Sequence, residues 1–133
     1  MTELTTNPET DLVLTREVDV PRHLVWKAWT VPEHLEQWFC PRPYGARVVR
    51  MDVRPGGAFE VQILDPEGKV LESGPGCYLD VVENTRLIWT SALGAGYRPV
   101  PPPVPVEGGV DCAFVFTAAI TLESLGKDGT RYT

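Results

Sequence analysis

The residues of this chain able to do chemistry are few, and their spacing sorts them quickly. Asp52, Glu60, Glu72 and Asp80 carry carboxylates along the central stretch, and two brought together would serve as general acid and general base. Each sits among residues of alternating polarity, where charges ordinarily form the solvated face of a strand. The solvated reading takes precedence. His23, His34 and Cys40 offer ring nitrogens and a thiol, but zinc wants clustered ligands, and a single interval between His34 and Cys40 falls short of that. No metal is expected. Gly56-Gly57 invites a phosphate-loop reading, yet it lies between two strand-like stretches and not ahead of a helix, so it is a turn. Without a nucleophile elbow or a dinucleotide fingerprint, no cofactor is expected either.

Arg16 is the odd residue. It shares its parity with Leu12, Leu14, Val18 and Val20, so the pattern points a guanidinium toward the apolar face of a strand. Such a charge needs a partner, which is either an ion pair at the sheet's end or an acidic group on a ligand. The aromatic residues fall into two sets. Trp26 and Trp29 read as core, because each buries a large apolar area. Trp38 and Phe39, beside Pro41 and Pro43, stand where pocket and core are both open readings. Tyr78 and Tyr97 are candidate polar contacts in a mostly apolar site.

The bulk properties bound the rest. One domain fits 133 residues, and 43% hydrophobic with 23% charged residues is ordinary for a globular protein. A net charge of −6 without a basic run argues against nucleic acid or an anionic membrane surface as partner. No segment approaches the roughly 20 apolar residues that span a bilayer, so membrane insertion is not expected. Residues 1–11 are polar and read as a flexible lead-in, not a signal peptide. Cys40, Cys77 and Cys112 are widely spaced and odd in number, which suits reduced thiols in a cytoplasmic protein better than a disulfide framework.

The positioning elements follow from local chemistry. Residues 12–20 predict a strand. Pro21 opens a helix whose stripe is Leu24, Val25, Ala28 and Trp29. Thr30 and Glu33 have capping-box spacing for a second helix with Pro32 in its first turn, ended by Pro41 and Pro43. Val49, Met51 and Val53 alternate in a second strand, and Phe59, Val61 and Ile63 in a third. Asp65-Pro66-Glu67-Gly68 is a turn. Residues 69–83 read as a fourth strand interrupted by Gly74-Pro75-Gly76, residues 87–91 as a fifth and residues 114–123 as a sixth. Lys127-Asp128-Gly129 then turns into a last strand over residues 130–133.

Residues 92–110 carry Pro99, Pro101, Pro102, Pro103 and Pro105, which exclude both helix and central strand. Long loops of this kind are functional or merely mobile. With Tyr97, Val100, Val104 and Val106 on an apolar side, the loop is expected either to close over a mouth opposite Trp38 and Phe39 or to be a surface excursion or dimer contact.

Taken together, Val20-Pro21, Val25-Trp26, Ala28-Trp29-Thr30, Pro32-Glu33, Leu35 and Trp38-Phe39 resemble the opening signature of the START-like helix-grip superfamily (SRPBCC). The nearest branch is the one named after activators of the heat-shock protein 90 ATPase. Residues 52–59, residues 76–90 and residues 129–133 resemble its later signatures. The resemblance implies an α+β fold: a curved antiparallel sheet with two short helices after the first strand. It also implies a long C-terminal grip helix beyond residue 133, so residues 12–133 are expected to be one START-like domain cut short. Its members include lipid carriers, hormone receptors, aromatase/cyclases and co-chaperone domains, and fold analogy does not choose among them.

The expected function is binding of a small hydrophobic or aromatic ligand between sheet and helices. An aromatase/cyclase- or hydrolase-like enzyme in the same cavity and a co-chaperone-type interaction module are the alternatives, and a homodimer is left open. The residues expected to line the site are Trp38, Phe39, Met51, Phe59, Tyr78, Trp89, Tyr97 and Phe116, with Arg16 as a polar anchor.

Overall fold

A computed structural model describes residues 5–101 and 115–133, with Glu72 and Ser73 described by backbone alone. Its elements run β1 (Arg16–Val18), α1 (Arg22–Thr30), α2 (Pro32–Trp38), β2 (Gly45–Met51), β3 (Phe59–Leu64), β4 (Val70–Gly74), β5 (Cys77–Val82), β6 (Arg86–Thr90), β7 (Leu93–Gly94), β8 (Arg98–Pro99), β9 (Thr117–Ser124) and β10 (Thr130–Tyr132), with a 3-10 turn at Ala95–Tyr97. All pairings are antiparallel, in the order β1-β10-β9-β6-β5 and β2-β3-β4. The two sheets meet at a bridge between Ala58 and Cys77. There the Phe59 amide donates to the Gly76 carbonyl at 3.0 Å and the Tyr78 amide to Gly57 at 3.0 Å. The result is the curved antiparallel sheet with two helices after the first strand, the α+β architecture of the helix-grip fold.

Residues 74–76 are the corner of that curve. The interruption, expected as a bulge or an edge position, falls between two edge strands where the chain changes sheet: β4 pairs with β3 at the edge of one sheet, and β5 with β6 at the edge of the other. Glycine is required at Gly76, because an added Cβ would stand 2.5 Å from the Phe59 carbonyl oxygen. A true bulge occurs at Val49, between Val48 and Arg50. It puts Val48 on the inner face in place of Val49 and leaves Met51 and Val53 inward as expected. Val48 and Met51 pack on the core, whereas Val49 is exposed.

The helices dock by one buried residue each, Trp26 and Leu35. Leu24, expected on the buried stripe, is exposed. The expected capping box does not form: the N-cap of α2 is Val31, and the Thr30 hydroxyl donates back to the Trp26 carbonyl at 2.8 Å. Two longer-range bonds fix α1 over the sheet. The Trp29 indole donates to the Tyr132 hydroxyl at 2.9 Å, and the fully buried Thr130 hydroxyl donates to the Val20 carbonyl at 2.6 Å. A single core joins Trp26, Leu35, Phe59, Tyr78, Leu87, Trp89, Ile120 and Leu122.

The first strand is shorter than its pattern. Only Arg16–Val18 pair with a neighbour, because β10 has three residues and β1 is the edge of its sheet. Leu12 and Leu14 are exposed. The outer face of this corner carries a charge ladder in which Arg131 binds Glu17 at 3.3 Å and Glu123 at 2.9 Å. Ahead of β1, Asn7 and Asp11 close a small hydrogen-bonded turn. Among the described residues no helix is long and apolar enough to cross a membrane.

Candidate functional site

The inner face of the sheet is lined by aromatic rings in unbroken contact. Strand register sets the arrangement. Tyr78 on β5 lies opposite Trp89 on β6, and Trp89 lies opposite Ala118 on β9. The bulge between Tyr78 and Asp80 turns Val81 back onto the same inner face as Leu87. Phe59 packs on both rings, with centroids 5.1 Å from Tyr78 and 4.8 Å from Trp89. Phe39, at the end of α2, reaches Phe59 at 6.4 Å, and Trp38 reaches Phe39 at 6.0 Å. At the opposite end Phe116 packs edge-on to Trp89 at 5.0 Å. Trp29 joins the row through Trp38 at 4.5 Å and continues it to Tyr132 at 6.5 Å.

Burial along this row is graded. Tyr78 is 0% exposed, Phe59 4% and Trp89 7%, whereas Trp38 at 41% and Phe116 at 39% open to solvent. Among the buried rings, the Tyr78 hydroxyl and the Trp89 indole nitrogen have no hydrogen-bond partner. Burial pushes the Tyr78 phenol well above its ordinary range, and the Asp52 carboxylate reinforces the shift. The phenol is therefore a neutral donor and a poor base. Burial also raises the Tyr132 phenol, against the bond from Trp29.

The structure thus brings together Trp38, Phe39, Phe59, Tyr78, Trp89 and Phe116, with Met51 packed beside them on the core. Two expected lining residues stand apart. Tyr97 lies against Gly56, where an added Cβ would meet its ring at 3.0 Å, and lines a separate cleft. The expected approach of its loop to Trp38 and Phe39 rests otherwise on residues 102–114, outside the described residues. Arg16 does share the inner parity, opposite Tyr132 and so level with Leu122, but as an edge residue it is exposed to water. Parity read the face correctly and could not report its cover. Trp29 and Tyr132 belong to the row although neither was singled out for it. The signal available was only that Trp29 follows Trp26 by three residues on a helix facing the last strand.

Asp52 is taken up by Arg54 at 2.6 Å and Asp80 by Arg86, and the Glu72 side chain lies outside those described. His23 and His34 are exposed, and among the described residues no three His, Cys, Asp or Glu side chains gather in metal-binding geometry. The arrangement offers a row of ring faces and two buried neutral donors.

Fold and site together define a helix-grip protein whose curved sheet presents an aromatic inner wall. A family model described as "Activator of Hsp90 ATPase homolog 1-like protein" matches residues 19–133, and the chain belongs to that family. A crystallised protein from Nitrosomonas europaea is 43% identical, with 97% of this chain and 75% of that one covered and a TM-score of 0.79. A crystallised protein from Chromobacterium violaceum has 24% identity, covers 90% of this chain and 73% of its own, and superposes with a TM-score of 0.68. A solution structure from Arthrobacter aurescens shares the fold at 22% identity and a TM-score of 0.67, over 89% of this chain and 62% of that one. No curated protein matches.

Proposed function

We propose that this protein binds a small planar hydrophobic or aromatic molecule carrying a hydrogen-bond acceptor, held against the inner wall of the sheet beneath the two helices. The observation that carries this reading is the pair of unpartnered donors, the Tyr78 hydroxyl and the Trp89 indole nitrogen, on residues directly opposite in register. Buried polar groups are ordinarily satisfied, and each orphan costs about 1–3 kcal/mol. An acceptor delivered by a ligand would recover that cost in the bound state alone. Ring contacts from Phe39, Phe59 and Phe116 would supply the apolar area, and Trp38 and Phe116 mark the exposed ends through which it would pass.

Arg16 is assigned the outer polar anchor, beside Tyr132. Membership of the family supports a cavity-binding role, and its description as an activator homologue leaves Hsp90-type partners as a property of other members. The reading takes the ligand to be cytoplasmic and leaves a homodimer open. The test is extraction of natively purified protein with organic solvent, read by mass spectrometry, beside titration of the recovered compound by tryptophan fluorescence. Recovery of a stoichiometric planar compound whose affinity falls in Tyr78→Phe supports the reading. Protein that yields no compound, and whose fluorescence is unmoved by a panel of planar aromatic ketones and phenols, overturns it.

A further inference from the structure

A second site lies outside the aromatic wall, where the turn after β2 meets the turn between β7 and β8. Arg50, Asp52, Arg54, residues 55–58, and Ala95, Gly96 and Tyr97 line an open cleft of about 260 Å³. Its floor is fixed. The Gly56 amide donates to the Tyr78 carbonyl at 2.8 Å, the Gly57 amide to Arg54 at 2.8 Å, and the Gly96 amide to the Gly56 carbonyl at 2.8 Å. Tyr97 is held at φ +61°, a left-handed conformation unfavourable for a bulky side chain, and its ring rests on Gly56.

The charges of this cleft are unequal to their surroundings. Two arginines against one aspartate leave a net +1 in a chain of net −6. Asp52 holds the Arg54 guanidinium by its Nε, which leaves the terminal nitrogens to donate elsewhere. Among the described residues no carboxylate comes within ion-pairing distance of Arg50. Glu60 lies opposite it in register and is the competitor for its charge.

We propose that this cleft binds a small aromatic monocarboxylate, its carboxylate between Arg50 and Arg54 and its ring on Tyr97. Guanidinium groups favour paired donation to a carboxylate, and the half-exposed Tyr97 ring offers a stacking face. One negative charge balances the site, whereas a phosphate monoester brings about −1.5 to −2. The volume, below the roughly 300–1,000 Å³ of pockets for drug-sized molecules, limits the ligand to a single ring.

The test titrates sodium benzoate into the full chain at fixed ionic strength, followed by amide NMR, beside benzamide and inorganic phosphate. Saturable benzoate shifts centred on residues 54–57 and 96–98 are expected, with benzamide at least tenfold weaker. Arg50→Gln should weaken benzoate about tenfold, the scale of a lost charged hydrogen bond. Glu60→Gln should tighten it by removing the competitor, and Tyr78→Phe should leave it unchanged, so this site and the aromatic wall stand or fall separately. Absent or scattered shifts, equal binding of benzamide, tighter binding of phosphate, or indifference to Arg50→Gln would overturn the proposal.

Discussion

Tyr78 and Trp89 face one another across β5 and β6, and each ends in a buried polar atom with no partner. Phe59 packs against both rings, and its side chain offers neither a donor nor an acceptor to them. Each orphan thus belongs to a ring packed on Phe59, and an incoming acceptor group that reached either atom would relieve it.

Replacing the Tyr78 hydroxyl with hydrogen removes one of these orphans without opening the core. Tyr78→Phe is expected to leave the ligand-free protein as stable as before or to stabilise it by about 1 kcal/mol, since an unsatisfied buried group is relieved. Urea denaturation of the purified variant checks this. A loss of more than about 1 kcal/mol would mean that the hydroxyl is already satisfied, and would remove the observation on which the ligand reading rests.

The same phenol sets an alkaline limit. Its folded pKa lies above the ordinary value of 10.0 because burial penalises the phenolate, with the Asp52 charge adding to this. Above pH 10 the unfolded chain therefore releases a proton that the folded chain retains. Stability should be full below that pH and fall as pH rises through it. Tyr132 shifts in the same direction through burial. Tyrosinate absorbance against pH should show a late group that appears together with unfolding, and Tyr78→Phe should move that unfolding to higher pH.

Leu35 anchors α2 with no exposed surface. Truncation in Leu35→Ala should cost about 2–5 kcal/mol, through lost transfer energy and the cavity left behind. The Trp38 indole donates to the Ala28 carbonyl at 2.9 Å, so loosening α2 should also shift the tryptophan emission. A cost below about 1 kcal/mol would show that α2 contributes little to the core.

Gly57 admits no side chain. An added Cβ would stand 1.9 Å from the Asp52 carbonyl oxygen, which is backbone and unable to swing aside. Gly57→Ala should destabilise by more than about 3 kcal/mol, at the severe end of single substitutions. Because the Gly57 carbonyl accepts the Tyr78 amide, amide exchange at Tyr78 should accelerate with it. A variant of unchanged midpoint would contradict this turn geometry.

Much of the architecture was legible in local chemistry. Pro21 and Pro32 announced two helices, Asp65-Pro66-Glu67-Gly68 closed the turn between β3 and β4, and alternation placed Phe59, Val61 and Ile63 on a strand. The aromatic residue types that line the sheet could also be named in advance. These signals survive because each depends on a few neighbouring residues.

Tertiary structure decided the rest, for reasons of register and cover. The opposition of Tyr78 to Trp89 depends on a bulge at residue 79 that no alternation pattern reveals. The bulge at Val49 exchanged Val49 for Val48 on the inner face, and residues 74–76 proved to be a change of sheet. Parity gave Arg16 the correct face, yet whether that face meets protein or water follows from its place on an edge strand with a three-residue partner. Tyr97 came to rest on Gly56 because two turns distant in sequence meet there through the Gly96 amide. The sequence by itself determined both helices and most of the strands, since these are settled within a few residues, but not the short β7–β8 pair or the true length of β1. Only the closed chain decided which side chains meet, since contacts between distant segments are set by pairing register and by the elements that cover each face.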